Sequence, residues 1–199
     1  MTEIYFVRHA EPDYRIHDDM SRPLTEKGRR DCRLVTDYMK DKTVELVVSS
    51  PFRRAYDTVC GLAESMGLEV ICMDAFRERK ITDGWLDDFR SYSERQWMDF
   101  DYKLENGECL AEVQERSVAS LNTLLTAQPD RTIVIGTHGT ALSAIINYYD
   151  RTFSYADFQK IAGLMPFITH FSFNGNACVL IELVNLFSGE ISIRLRKGV

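Results

Sequence analysis

The sequence predicts an α/β fold, a three-layer sandwich in which a mostly parallel central sheet is flanked by helices. Short apolar runs rich in β-branched residues alternate along the chain with longer runs that are apolar at helical spacing. Such alternation is typical of parallel sheets whose strands are joined by helices. Two late apolar runs, residues 168–173 and 177–184, are separated by Asn174-Gly175-Asn176, which is the turn chemistry of a hairpin. The hairpin makes the expected sheet mixed.

The first half of the chain is expected to hold three strands and two helices. The strands are residues 4–7, 44–48 and 69–73. Thr25 is expected to cap the first helix, which carries apolar residues as far as Met39, and Gly28 in its first turn indicates a close backbone approach. Pro51 suits the first turn of the second helix, whose apolar face extends to Met66.

The second half continues the alternation. Its expected elements, besides the hairpin, are helices at residues 110–125, 141–149 and 154–162 and strands at 132–136 and 191–195. Between residues 76 and 107 the alternation of strand-like and helical runs is less regular, and part of 93–102 is expected to be helical. Six aromatic residues fall within positions 85–102. These aromatic residues favour a segment that covers a substrate, although packing on a small side core explains them as well.

Length and composition restrict the class of protein. A chain of 199 residues is expected to form one domain over residues 1–199, with an insertion at about 76–107. The formal net charge of −6 argues against a nucleic-acid partner, and no apolar run approaches the roughly 20 residues that span a membrane. Five scattered cysteines without a C-x-x-C pair argue against disulfides and structural zinc. Since the start lacks the pattern of a signal peptide, we expect a cytoplasmic protein.

Polar clusters follow three of the expected strands. They are Arg8-His9, then Ser49-Ser50 with Arg53-Arg54 shortly after, and Thr137-His138-Gly139. Because ligands of open α/β sheets bind at the carboxyl ends of the strands, we expect these clusters to converge on one pocket. Arginine forks suit phosphate oxygens, and helices that begin near Pro51 and Gly139 add backbone N–H groups that favour anions. The expected ligand is a phosphoryl group.

Two histidines in such a pocket indicate phosphoryl transfer to a side chain. A neutral imidazole is a competent nucleophile at cellular pH, so one histidine is expected to attack phosphorus and the other to hold its oxygens. The leaving alkoxide then needs a proton. Glu78 follows the third strand and lies within the expected reach of the pocket, but its residue type alone is better explained by a surface acid paired with a neighbouring base.

Six ordered stretches of the chain resemble the motifs of the histidine phosphatase superfamily, which includes the cofactor-dependent phosphoglycerate mutases. They are Arg8-His9-Ala10, Leu24-Thr25-Glu26-Lys27-Gly28, Ser49-Ser50-Pro51-Phe52-Arg53-Arg54-Ala55, Phe76-Arg77-Glu78 with Gly84-Trp85, Gly107-Glu108-Cys109, and residues 134–139. The resemblance spans residues 1–145 or so and implies a phosphoglycerate mutase-like fold.

Carried over position by position, the resemblance implies a set of site residues. The implied residues are His9 as the phosphorylated nucleophile, Glu78 as the proton donor, His138 as the second catalytic histidine, and Arg8, Arg54 and Gly139 around the phosphoryl group. Arg54 is chosen over Arg53 because it directly precedes Ala55. His17 and His170 match no motif and are expected to be structural or on the surface.

Departures from the motifs bear on the reaction. Residues 11–14 lack the Glu-Ser-x-Trp-Asn pattern of the mutases, and the stretch between Glu78 and Gly107 is shorter than the mutase insertion. We therefore expect a phosphatase that hydrolyses phosphate monoesters of small metabolites through a phosphohistidine, without a metal or another cofactor. Cys109 stands where the family usually has serine. Residues expected near the entrance or a second anionic group are Tyr14, Arg15, Arg22, Arg77, Arg79 and Lys80.

Three alternatives are open. A phosphoglycerate mutase would isomerise a phosphorylated sugar acid faster than it hydrolysed it. A non-catalytic phospholigand-binding protein would bind without turnover. A metal hydrolase that used His9, His138 and Glu78 as ligands is disfavoured, because nearby arginines repel a divalent cation and no local ligand spacing supports one.

Overall fold

The computed structural model describes residues 1–196, which form a seven-stranded sheet with helices on both faces. In chain order the elements are β1 (Thr2–Arg8), α1 (Glu26–Met39), β2 (Leu46–Ser49), α2 (Arg53–Ser65), β3 (Val70–Cys72), α3 (Phe89–Met98), α4 (Leu110–Ala127), β4 (Thr132–Thr137), α5 (Gly139–Tyr149), α6 (Tyr155–Ile161), β5 (Phe167–Asn174), β6 (Ala177–Val184) and β7 (Ile191–Arg196). The last three residues of the domain expected over 1–199 lie outside the described residues. Within residues 1–196, no helix is long and apolar enough to cross a membrane.

The sheet is mixed, as expected, and its strand order is β3-β2-β4-β1-β5-β6-β7. The pairings among β3, β2, β4 and β1 are parallel, whereas those of β1 with β5, β5 with β6 and β6 with β7 are antiparallel. Three of the six pairings described are therefore parallel, and they unite β3, β2, β4 and β1 in one half of the sheet. The predicted hairpin joins β5 to β6, and Gly175 in its turn has a φ of 56°, which suits glycine.

The side chains of a strand point alternately to the two faces of the sheet, and this alternation explains the three layers. Ile4 and Phe6 of β1 belong to an apolar cluster that also contains residues of α4, α5 and α6, whereas Tyr5 and Val7 belong to a second cluster with residues of α1 and α2. Successive side chains of a strand point to opposite faces of the sheet. Each face therefore has its own helical layer, and the carboxyl ends of the parallel strands are left for a site.

The helix boundaries agree with the sequence analysis in most places and differ at two. The hydroxyl of Thr25 caps α1 by accepting from the Gly28 N–H at 2.9 Å. Helix α2 begins at Arg53, so Pro51 precedes it, because the Ser50 hydroxyl accepts from the Phe52 N–H at 3.2 Å in the intervening turn. Helix α3 begins at residue 89, earlier than expected, since the side chain of the residue before it caps the Ser91 N–H.

The aromatic residues of the segment at 76–107 lie in two different places, the core and the pocket wall. Trp97 packs against Phe153 and Phe158, with ring centroids 6.0 and 5.9 Å away, and so joins the core. Trp85 and Phe89 are largely exposed and line the large pocket described below. The side-core explanation therefore applies to Trp97, whereas a substrate-covering role for Trp85 and Phe89 stays a prediction.

Gly28 is expected to be essential for the stability of the domain. A Cβ at this position would lie 2.3 Å from the Glu11 carbonyl oxygen, which also accepts from the Thr25 N–H at 3.0 Å. Gly28→Ala should lower the free energy of unfolding by about 1–3 kcal/mol, because the backbone must shift to relieve the overlap. Urea denaturation measures the effect.

Gly61→Ala is the matched control. A Cβ at Gly61, within α2, would meet nothing within 4 Å. Alanine there should stabilise the protein by about 0.5–1 kcal/mol, because glycine is less favourable than alanine inside a helix. Equal unfolding free energies for the two variants would contradict the close approach at Gly28.

Candidate active site

The register of the sheet brings the polar clusters together. Arg8, at the end of β1, pairs with Thr137 of β4, and Ser49, at the end of β2, pairs with Gly136 of the same central strand. His9 follows β1 and donates its backbone N–H to the Thr137 carbonyl at 3.0 Å. A pocket of about 1300 Å³ opens at this edge of the sheet. Its wall includes Arg8, His9, Arg54, Glu78, Gly139 and Thr140.

His9 lies at the base of this pocket with its ring in a defined tautomer. Its Nδ1 is 2.8 Å from the Ala10 carbonyl oxygen, which can only accept, so Nδ1 carries the proton. Its Nε2 is 3.2 Å from Nε of Arg54, which can only donate, so Nε2 carries the lone pair. The ring nitrogen that faces the arginines is therefore the one that can act as a nucleophile.

Electrostatics keep His9 neutral. Burial, together with the positive charges of Arg54 and Arg8, holds the pKa of His9 well below the usual histidine value of 6.5. Burial and the charge of Arg54 likewise hold the pKa of His138 well below 6.5. Both imidazoles are therefore unprotonated at cellular pH.

These lowered pKa values predict a pH dependence of folding. An unfolded chain binds protons on both histidines as the pH falls through 6.5, whereas the folded chain resists protonation until its lower pKa values are reached. The free energy of unfolding should therefore fall as the pH drops below 6.5 and towards the folded values. Denaturant titrations between pH 8 and pH 5 measure the slope, and His9→Gln should reduce it. An unchanged slope in that variant would contradict a buried neutral His9.

Arg54 and Arg8 reach the site from different elements. Arg54 lies in the first turn of α2 and is 3% exposed, while the adjacent Arg53 is exposed and pairs with Asp57. Arg8 donates through Nη1 to the carbonyl oxygens of residues 161 and 162, at 2.9 and 2.8 Å. The backbone of α6 thus fixes Arg8. A Cβ at Gly139 would lie 2.9 Å from Arg8 Nε, so glycine at that position makes room for the guanidinium group.

His138 lies against His9 and is fully buried. The two ring centroids are 5.2 Å apart, and His138 Nε2 is 2.8 Å from the Ser50 hydroxyl. Among the described residues, His138 is absent from the pocket wall, although Gly139 and Thr140 next to it belong to that wall. The structure thus brings His138 to His9 and places it in the layer behind the open pocket.

Glu78 is bound to the start of α5. Its Oε2 accepts from the Thr140 N–H at 3.0 Å, and its Oε1 accepts from the N–H groups of Ala141 and Arg79 at 3.1 and 2.9 Å. Free N–H groups at a helix N-terminus are natural partners for a carboxylate. The side chain lies in the wall of the same pocket as His9, and its Oε1 is also 3.9 Å from Nη1 of the neighbouring Arg79.

Glu108 holds the loop that carries Glu78. Its carboxylate accepts from Arg77, from Arg116 Nε at 3.0 Å and from the Lys80 N–H at 2.9 Å. Burial opposes ionisation of Glu108, but the hydrogen bonds from Arg77 and Lys80 and the charge of Arg116 lower its pKa to about 2. Arg77 is thus occupied by a structural ion pair.

The Gly-Glu-Cys stretch that follows the loop tolerates its cysteine. Cys109 Sγ accepts from the Glu112 N–H at 3.5 Å and caps α4, as a serine hydroxyl would. The departure from the family motif therefore leaves the capping contact in place.

The other residues expected near the entrance, together with the two histidines outside the motifs, separate into two groups. Tyr14, Arg22, Arg79 and Lys80 line the pocket, as does His17, whose ring stacks on Trp85 with centroids 4.2 Å apart. Arg15 is exposed and pairs with Asp13, and His170 lies between Glu3 and Glu182. His170 is therefore structural, and His17 is exposed, as expected for each, but His17 also lines the pocket.

Sequence reasoning missed Asp19, and it treated Arg79 only as one of several bases. Arg79 is 2% exposed, contacts the Thr140 hydroxyl and lies over the rings of Phe89 and Tyr92. Asp19 belongs to the segment that connects β1 to α1. It lines the pocket, and its Oδ1 is 3.1 Å from Arg54 Nη2. The position of Arg79 directly after Glu78 was its only sequence signal; Asp19 had none.

Comparisons with known proteins show which family the chain is similar to. The sequence profile of the histidine phosphatase superfamily (branch 1) matches residues 4–186. An uncharacterized phosphatase of Bacillus subtilis (strain 168), PhoE, is 30% identical over 150 residues, which cover 73% of this chain and 76% of that protein. A probable phosphoglycerate mutase of Cronobacter sakazakii, GpmB, is 29% identical over 161 residues, covering 74% of each.

A solved structure shares the fold of the chain. It is that of a phosphoserine phosphatase mutant from Entamoeba histolytica in complex with phosphoserine, with a TM-score of 0.75 at 20% identity. The match covers 98% of this chain and 97% of the other. The α/β sandwich described above is thus the fold of that phosphatase.

Proposed function

The chain belongs to the histidine phosphatase superfamily (branch 1) and is a phosphoric monoester hydrolase, and on this premise we propose that it works through a phosphohistidine formed on His9. One observation supports this role above the others. His9 Nε2 is an unprotonated, buried ring nitrogen at the base of a large pocket, within 3.2 Å of an arginine that can bind phosphate oxygens.

The proposed reaction has two halves. In the first, the lone pair on His9 Nε2 attacks phosphorus, a P–N bond forms, and the P–O bond to the alcohol breaks while Glu78 gives a proton to the departing oxygen. In the second, water attacks phosphorus and passes a proton to the Glu78 carboxylate. The P–N bond then breaks, which releases inorganic phosphate and restores neutral His9.

The positive charge of the pocket supports these two reaction steps. Arg8 and Arg54 are proposed to hold the phosphoryl oxygens as charge develops, and His138 to assist from its place against the His9 ring. Glu78 is supported as the donor because it lies in the same pocket on the start of α5. Two guanidinium groups at this point repel a divalent cation, so we propose that hydrolysis needs no metal.

The substrate is proposed to be a small phosphorylated metabolite. A pocket of about 1300 Å³ is far larger than a phosphoryl group and leaves room for the body of such a molecule. The scattered cysteines suit a reducing compartment, so we propose a cytoplasmic location.

Trapping the phosphorylated enzyme tests the proposal. The protein is mixed with ³²P-labelled p-nitrophenyl phosphate in the presence of EDTA and quenched in base. We expect label on the protein that survives base and is lost in acid, and mass spectrometry should assign it to His9. Label on another residue, turnover without any label, or complete loss of activity with EDTA would each contradict the proposal.

A further inference from the structure

The nucleophilic nitrogen of His9 is engaged in the unliganded structure. With Nδ1–H donating to the Ala10 carbonyl, Nε2 has one lone pair, and that lone pair accepts the Arg54 Nε–H at 3.2 Å. A nitrogen that accepts a hydrogen bond cannot at the same time attack phosphorus. Arg54 must therefore leave His9 Nε2 before the phosphoryl group is transferred.

Asp19 holds Arg54 in this position. Its backbone carbonyl accepts from Arg54 Nη1 at 2.5 Å, and its Oδ1 lies 3.1 Å from Arg54 Nη2. The same Oδ1 accepts from Arg22 Nη1 at 2.9 Å. One carboxylate oxygen thus lies between two guanidinium groups of the pocket wall. These are the positive groups to which an incoming phosphate would bind.

The segment around Asp19 is fixed to the protein next to the site. The Met20 carbonyl accepts from the Arg53 N–H at the start of α2, at 2.9 Å, and the Arg22 N–H donates to the Asp18 carbonyl at 3.0 Å. The Asp19 side chain itself is 43% exposed, so its carboxylate can return to water at little cost when another anion replaces it.

We propose that Asp19 is an internal competitor for the phosphoryl site, holding Arg54 against the nucleophilic nitrogen until a phosphate displaces it. The inference rests on the proposed function for the identity of the nucleophile. Displacement of the carboxylate would free the Nη2 N–H of Arg54 for a phosphoryl oxygen, and a shift of the guanidinium group towards that oxygen would free the His9 lone pair, while Nη1 keeps its bond to the Asp19 carbonyl. Asp19 is thus a positioning residue that sets phosphate affinity.

The test measures the binding of inorganic phosphate by isothermal titration calorimetry to the wild-type protein, Asp19→Asn and Asp19→Ser. Removing the competing charge should tighten phosphate binding about tenfold in both variants. Asp13→Asn is the matched control, because Asp13 carries the same charge in the same segment but pairs with the exposed Arg15. Its affinity should stay within about twofold of wild type.

Kinetics supply a second measurement. With p-nitrophenyl phosphate, Asp19→Asn should lower KM in proportion to the gain in phosphate affinity. Phosphate binding that is unchanged or weaker in both Asp19 variants would overturn the proposal, since the carboxylate would then be orienting Arg54 for the ligand. Calorimetry needs no turnover, so a failure to form phosphohistidine on His9 would be recognised separately from a failure of the Asp19 inference.

Discussion

Replacing His9 by alanine is expected to lower kcat by about 10⁴-fold or more, the scale seen when a nucleophile is removed from a site whose groups act together. The variant keeps Arg8 and Arg54, so it should still bind inorganic phosphate. What it loses is the ring nitrogen on which the P–N bond is proposed to form. Steady-state hydrolysis of p-nitrophenyl phosphate, with phosphate binding by calorimetry, separates the two effects.

The control for this variant is His170→Gln. His170 lies on a different part of the sheet, between Glu3 and Glu182, with Tyr5 stacked on its ring at 4.4 Å. Its replacement should leave kcat within about twofold of wild type, because no atom of it lines the pocket among the described residues. Substantial turnover by His9→Ala, in a preparation with an unchanged unfolding midpoint, would refute a phosphohistidine on this residue.

The second large effect is expected from Glu78→Gln, and it should depend on the leaving group. General acid catalysis contributes about 10²–10⁴-fold, and it matters most when the departing oxygen is a poor leaving group. We therefore expect kcat/KM to fall by about 10³-fold for alkyl phosphates and far less for p-nitrophenyl phosphate. A plot of log kcat/KM against the pKa of the leaving alcohol should be steeper in the variant.

Glu115→Gln makes the same chemical change on the exposed surface of α4. Its plot should overlay that of the wild type. Equal losses for alkyl and aryl phosphates in Glu78→Gln would argue that Glu78 only holds the start of α5, through its contacts with Thr140 and Ala141, and gives up no proton.

Much of the site could be predicted from the sequence because strand ends determine it. Arg8 and His138 are distant along the chain, yet Arg8 ends β1, His138 follows β4, and these two strands are neighbours in register. The family motifs then assigned roles to residues already expected to converge. The phosphoglycerate mutase-like fold and the phosphatase class are confirmed, whereas the individual roles of His9, Glu78 and His138 stay predictions for the experiments above.

Contacts made by irregular segments were beyond sequence reasoning. Asp19 carries no periodic pattern, and its place between Arg54 and Arg22 depends on backbone hydrogen bonds to α2 that no spacing reveals. The aromatic segment posed a different difficulty. Trp85 and Trp97 are chemically alike, and only the start of α3 at residue 89 decides that one faces the pocket and the other the core.

The junction between β4 and α5 joins three parts of the proposed chemistry in one short stretch of chain. His138 directly precedes α5, Gly139 leaves space for Arg8, and the next two N–H groups hold Glu78. The Glu78 carboxylate and His138 are therefore both attached to the first turn of α5, while Arg8, held by the end of α6, packs against the same turn. A displacement of the first turn of α5 would move the proposed acid and the second histidine together, so a substitution in that turn should affect both groups at once.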